Sequence, residues 1–197
     1  MTAAAVEALA LEYERSRDTQ AWARWFARAA DALMLTPFVF VAFAMLGVLV
    51  ELGRAPVEIY GWIEQPIVAG IMELGMMFVL FALWDPLFIS NTGTTPGKWI
   101  MGVRVRRADG SKLSFFRALN RFVRVWFIGM GAGVPLLTLI LMLISRAKLV
   151  SDGVTAWDEQ LNCKVEHRKR HPALWVLVIV VVLVVNLGLR ILSELPA

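Results

Sequence analysis

Arg24 and Asp31 stand seven residues apart, two helical turns, so in a helix both charges lie along one face, with Arg28 between them in the chain. Asp31 falls inside a run, about 27–50, that is apolar and long enough to cross a bilayer. A carboxylate at membrane depth is costly and is expected to face protein or a water-filled cavity. It lies only about four residues, roughly 6 Å, into the run, within reach of water or of an arginine. Two chemistries fit. Asp31 could be a proton or cation site, tuned by burial and by Arg24 or Arg28. It could equally be half of a salt bridge that locks this helix to another part of the chain.

Other charges extend both readings. Glu73 sits near the middle of a second apolar run, 66–84, with no cation near it in sequence. It reads either as a protonated, hydrogen-bonded Glu or as a second station on an ion path with Asp31 and Asp85. Asp85, just before Pro86, reads first as an interfacial turn residue. Residues 114–126 read as an interfacial helix capped by Ser114, with Arg117, Arg121 and Arg124 on one face. Those arginines either snorkel to lipid phosphates or send one of their number to Asp31 or to Asp158.

Composition narrows the class. The 197 residues are 58% hydrophobic with a mean hydropathy of +0.65, which marks a membrane protein. The apolar runs are about 27–50, 66–84, 123–144 and 172–192. A single cysteine, Cys163, excludes an intramolecular disulfide and fits a reducing compartment. No His, Cys or carboxylate spacing suits a metal, and no nucleophile–base pair is apparent, so neither a cofactor nor enzymatic activity is expected. Gly93-Thr94-Thr95-Pro96-Gly97-Lys98 fails the phosphate-loop pattern: three residues, not four, precede Gly-Lys, and Trp99 follows. A tight turn with Lys98 near lipid phosphates is the simpler reading. The net charge of +4 is assigned to loops facing anionic lipid rather than to nucleic acid.

Arg24-Trp25-Phe26-Ala27-Arg28-Ala29-Ala30-Asp31 resembles the opening signature of the RDD family, small membrane proteins named for one arginine and two aspartates. The Gly93–Lys98 segment with Val103-Arg104-Val105 and Asp109-Gly110 is similar to the family's central Gly-Lys block. Trp157-Asp158 with Cys163-Lys164-Val165 is similar to the second aspartate and its trailing strand. The resemblance covers roughly residues 22–166 and implies a triad of Arg24, Asp31 and Asp158. Trp157 stands where the family commonly has His, so any role of that His does not carry over; Ala30 likewise replaces an aliphatic residue. The resemblance implies transport, including cation/proton antiport.

Charge asymmetry sets the orientation. Arg15, Arg17, Arg24 and Arg28 precede the first span, and the segments after the second and third runs are rich in Lys and Arg, whereas the 51–65 loop has only Arg54. The positive-inside rule makes the N-terminus and both basic segments cytoplasmic. The first 20 residues lack an apolar core of the signal-peptide kind and are expected to form a polar helix or a disordered arm. Gly129, Gly131, Gly133 and Pro135 should break the third run into halves of about ten residues, roughly 15 Å each, enough for a re-entrant dip. Pairing of a strand near 100–107 with one near 161–165 would put both loops on one side, and Ala108-Asp109-Gly110-Ser111 signals a hairpin or tight turn. Trp22, Trp25, Trp84, Trp126 and Trp175 fit an inner aromatic belt, Trp62 an outer one.

The expected fold is therefore an all-α membrane protein with three transmembrane helices, a broken re-entrant (or fourth transmembrane) segment and a small cytoplasmic β element. Residues 1–21 form an arm, 22–166 the membrane domain and 167–197 a C-terminal anchor. The expected setting is a bacterial inner membrane, with the N-terminus cytoplasmic. The expected function is transport or cation/proton exchange through intramembrane carboxylates, with anionic lipid, monovalent cations and protons as partners and homo-oligomers enclosing the path. The alternative is a non-transporting scaffold or assembly factor. The candidate site comprises Arg24, Arg28, Asp31, Glu73, Asp85, Arg121, Arg124 and Asp158.

Overall fold

From Ala3 to Thr36 the chain has neither glycine nor proline and is rich in Ala, Leu, Glu and Arg, all strong helix formers. It forms one helix, α1 (Ala3–Glu51), which continues through Pro37. The expected arm is thus helical and continuous with the first apolar helix, because nothing in the sequence stops it. The computed structural model describes the backbone of residues 3–168 with side chains from Gln20 onward; beyond these it describes only Val176, Val180, Val181, Leu183, Val184, Val185, Leu187, Gly188 and Ile191. The expected anchor at 172–192 and Trp175 lie largely or wholly outside the described residues.

After a turn at Gly53, α2 (Glu58–Ile63) leads to α3 (Pro66–Thr92), which opens on a proline and closes on Gly93 at φ +81°. α3 runs eight residues past the expected run. It takes in Asp85 and Pro86, so Asp85 is a buried residue within a helix and not a turn residue. Among the described residues two helices, Gln20–Glu51 and Pro66–Thr92, are long and apolar enough to cross a membrane. Their outer faces are apolar and uncovered, with Met45 63% and Ile67 79% exposed, as a lipid-facing surface requires.

The small α4 (Pro96–Ile100) precedes β1 (Val103–Arg107). A tight turn does follow at Asp109–Gly110, where Gly110 N–H donates to the Arg107 carbonyl at 2.9 Å. It closes no hairpin. β1 pairs instead with the distant β2 (Cys163–His167), antiparallel, with Val105 opposite Val165. Between them α5 (Phe115–Arg124) runs into a π turn at Val125–Gly129 and a 3₁₀ turn at Gly131–Gly133, and α6 (Pro135–Asp152) starts on a proline. The break falls on the glycine run because Gly131, Ala132 and Gly133 all take positive φ. The second half is longer than expected: α6 has 18 residues, about 27 Å rather than 15 Å. α7 (Ala156–Gln160) then leads into β2.

Two apolar clusters hold the strand pair. Ala23, Ala27, Ile100, Met101 and Val103 join α1, α4 and β1, while Ile89, Val105, Leu113, Ala118 and Cys163 join α3, the strands and α5. A third, Leu35, Phe81, Phe122 and Trp126, ties α1 and α3 to α5 and the π turn. Trp126 is therefore core and not belt, and Trp84 packs beside that core, whereas Trp22, Trp25 and Trp62 are exposed.

A buried charge cluster as the candidate functional site

The face of α1 carrying Arg24, Arg28 and Asp31 is turned toward the strand pair and the short helices. Around Asp31 the chain supplies a fitted receptor. Thr95 precedes α4, and its side chain accepts from the Lys98 N–H while donating to Asp31 Oδ2 at 2.5 Å. The Gly97 N–H donates to Asp31 Oδ1 at 2.8 Å, and Trp84 Nε1 approaches Oδ1 at 3.5 Å. Lys98 Nζ is 3.9 Å from Asp31 and forms a close ion pair with Asp85. Asp31 is 1% exposed.

Gly97 explains the Gly-Lys block. A Cβ there would lie 2.2 Å from the Ala27 carbonyl oxygen and 2.8 Å from Asp31 Cγ. Only glycine lets α4 touch α1 this closely. Lys98, read from sequence as a neighbour of lipid phosphates, is instead buried between two carboxylates, because the turn into α4 aims it inward.

A second group forms one to two turns earlier on α1. Arg121 Nε donates to Asp158 Oδ1 at 2.8 Å, and Arg24 Nη1 donates to Asp158 Oδ2 at 3.2 Å. The Thr155 hydroxyl adds a bond to Oδ2 at 2.8 Å. Burial alone would raise the Asp158 pKa, but Arg121 and Arg24 outweigh it and hold the carboxyl below its ordinary range. Burial likewise opposes the charge on Arg121, yet Asp158 and Asp85 keep its pKa above the usual value. Arg24 Nε also points at His167 Nε2, 3.4 Å away on β2. Burial, with Arg24 beside it, pushes the His167 pKa down to about 4.

The sequence-derived residues therefore divide. Arg24, Arg28, Asp31, Asp85, Arg121 and Asp158 come together. Asp31 does not meet an arginine within ion-pair distance; its cation is Lys98. Arg124 stays outside, bonded to Asn120 and Gln160, because it lies three residues beyond Arg121 toward the exposed side of α5. Glu73 is exposed on α3, twelve residues or about 18 Å along the axis from Asp85, and is no station beside Asp31. Missed from sequence were Lys98, Thr95, Gly97, Thr155 and His167. The pattern Thr-Pro-Gly, with a capping residue and then proline at the first helical position, was the available signal for the first three. Among the described residues no His, Cys and carboxylate side chains are grouped as metal ligands.

The RDD family's sequence profile matches residues 19–155. This chain belongs to the RDD family. The matched residues take in the Arg24–Asp31 face and the whole Thr95–Lys98 receptor and end three residues before Asp158, whose place in the site rests on its contacts. The family's arginine and two aspartates are not one triad here. Arg24 pairs with Asp158, and Asp31 belongs to a separate group with Lys98 and Asp85. Comparison with curated proteins and with solved structures gives no match.

Proposed function

We propose that this RDD-family membrane protein is a non-transporting module of a bacterial cytoplasmic membrane, in which the charge cluster assembles and locks the fold. The carrying observation is the sealing of Asp31: two hydrogen bonds at 2.8 Å or less and a lysine satisfy it, and it is 1% exposed. A carboxylate in that state has no aqueous route by which to exchange protons, whereas the exchanger reading needs one. Buried ion pairs of this kind hold elements in register more than they add stability. Here they fasten the strand pair, α4, α5 and α7 to α1 and α3.

The topology that goes with this reading is a cytoplasmic N-terminus with the broken segment 123–144 as a re-entrant dip, so that the chain on both sides of it is cytoplasmic. The support is that the chain leaves from β1 and returns to its partner β2. Cys163 is buried and a poor reporter, so the side of 146–171 is read by impermeant maleimide on Asp152→Cys, an exposed position, in a Cys163→Ser background. The reading also keeps the expected homo-oligomer. Glu73 on the outer face of an apolar helix is costly against lipid and would be covered by a second copy.

The functional test uses proteoliposomes carrying a proton gradient. No flux should follow Na⁺, K⁺ or Li⁺ addition across pH 6–9, while Asp31→Asn lowers the melting temperature. Cation-dependent flux in the wild type that Asp31→Asn abolishes, with the fold intact, would establish exchange instead.

A further inference from the structure

A cavity of about 530 Å³ lies between α1 and α6, with Val103, Val105 and Val165 of the strand pair on its wall. Its size and lining suit a small-molecule or lipid occupant: mostly apolar surface with a few convergent charges. Asp31, Asp85 and Asp158 are not among its lining residues, but Arg24, Arg28, Lys98 and Arg121 are. The anions near these four cations, among the described residues, are Asp31, Asp85 and Asp158. Arg24, Lys98 and Arg121 each have an acid within ion-pair distance. Arg28 does not: among the described residues its guanidinium has neither a hydrogen bond nor an ion pair, although it lies within electrostatic reach of Asp85, Arg121 and Asp31. A second observation points the same way. Arg121 is 4% exposed, and its Nη1 is buried without a hydrogen-bond partner.

A guanidinium held in an apolar wall without a hydrogen bond or a close ion pair is costly, and a planar fork of donors is matched by phosphate or carboxylate. Arg28 is about 12 Å along α1 from Gln20, shallow enough for a headgroup to reach it. Met130, Leu139, Met142 and Leu143 line the rest of the cavity and suit an acyl chain, with Trp22 and Trp25 at its α1 side. We infer that this cavity is a binding site for one anionic phospholipid of the surrounding bilayer, its phosphate on Arg28 and the free face of Arg121 and an acyl chain between α1 and α6. The inference is independent of whether the chain transports.

The test uses the full chain purified in a neutral maltoside detergent. It is titrated with short-chain phosphatidylglycerol, the matched phosphatidylcholine, or inorganic phosphate, and read by native mass spectrometry and thermal shift. One phosphatidylglycerol should bind at least tenfold more tightly than phosphatidylcholine, and inorganic phosphate should not substitute. Arg28→Met should lose that preference while the lipid-free melting temperature holds or rises. Leu143→Trp, which fills the apolar part without touching the charges, should weaken binding of both lipids. Equal binding of the two lipids, an undiminished preference in Arg28→Met, or saturation by phosphate alone would each overturn the assignment.

Discussion

The two ion-pair groups on α1 are built in opposite ways. Around Asp31 two carboxylates share one lysine, and a hydroxyl and a backbone N–H in a turn made by Thr95, Pro96 and Gly97 complete the receptor. Around Asp158 one carboxylate serves two arginines drawn from α1 and α5, more than a hundred and more than thirty residues away in the chain, respectively. The first group is a local receptor that tolerates loss of a charge, since Lys98 keeps Asp85. The second has a single acid at its centre, and nothing replaces it. Burial is equal at the two aspartates, so partner number and partner type decide what each contributes.

Asp158→Ala is the sharpest way to break that comparison. It leaves Arg24 and Arg121 buried without their anion and should cost about 3–5 kcal/mol, read as a drop in detergent melting temperature. Asp152→Ala, which removes an exposed pair with Lys148, should change little. Equal effects would show that Asp158 is not the keystone of its group.

Gly97→Ala attacks the other group through shape rather than charge. The added methyl meets the Ala27 carbonyl, and overpacking of this sort costs about 1–3 kcal/mol or more. Gly75→Ala on α3, where nothing lies within 4 Å, is the control and should be neutral or slightly stabilising. Asp31→Asn should cost less than Asp158→Ala, about 1–2 kcal/mol, because the amide oxygen can still accept from Thr95 or Gly97 and Lys98 retains Asp85. If Asp31→Asn proves the more damaging of the two aspartate variants, the contrast between local receptor and keystone fails.

The smallest effect is a pH dependence at His167, beside the Asp158 group. His167 is neutral when folded, with its pKa lowered from 6.5 to about 4, so it adds stability above pH 6.5 that is lost as pH falls toward 4. Protonation removes the acceptor for Arg24 Nε and sets two cations side by side. The wild-type melting temperature should fall across that window, and His167→Gln should flatten the fall. An unchanged slope would place the acid sensitivity elsewhere, since Asp158 titrates below the ordinary carboxylate range.

Much of this architecture was legible in the residues. The apolar runs mark α1 and α3, the glycine run marks the break before α6, and alternating Val and Arg mark β1. The helix face shared by Arg24 and Asp31 follows from their spacing alone. The hydrophobic pattern was less informative about ends: α3 continues through Asp85-Pro86, where charge and proline suggested a stop, because Lys98 neutralises the acid and Ile89 packs into the core. The Arg face of residues 114–126 was equally ambiguous, since lipid phosphate and Asp158 both attract guanidinium.

Sequence alone determined a membrane protein of the RDD type, the periodicity that lines up its α1 charges, and the places where helices must bend, since each depends on local backbone chemistry or on residue spacing. Only the tertiary structure decided which charge meets which. Lys98 rather than an arginine serves Asp31, and Arg24 reaches Asp158 across 134 positions of chain. Arg28 is left without a hydrogen bond or an ion pair among the described residues, facing a cavity. Ion pairing depends on distance and burial, and those arise only when α1, α4, α5 and α7 converge on the strand pair.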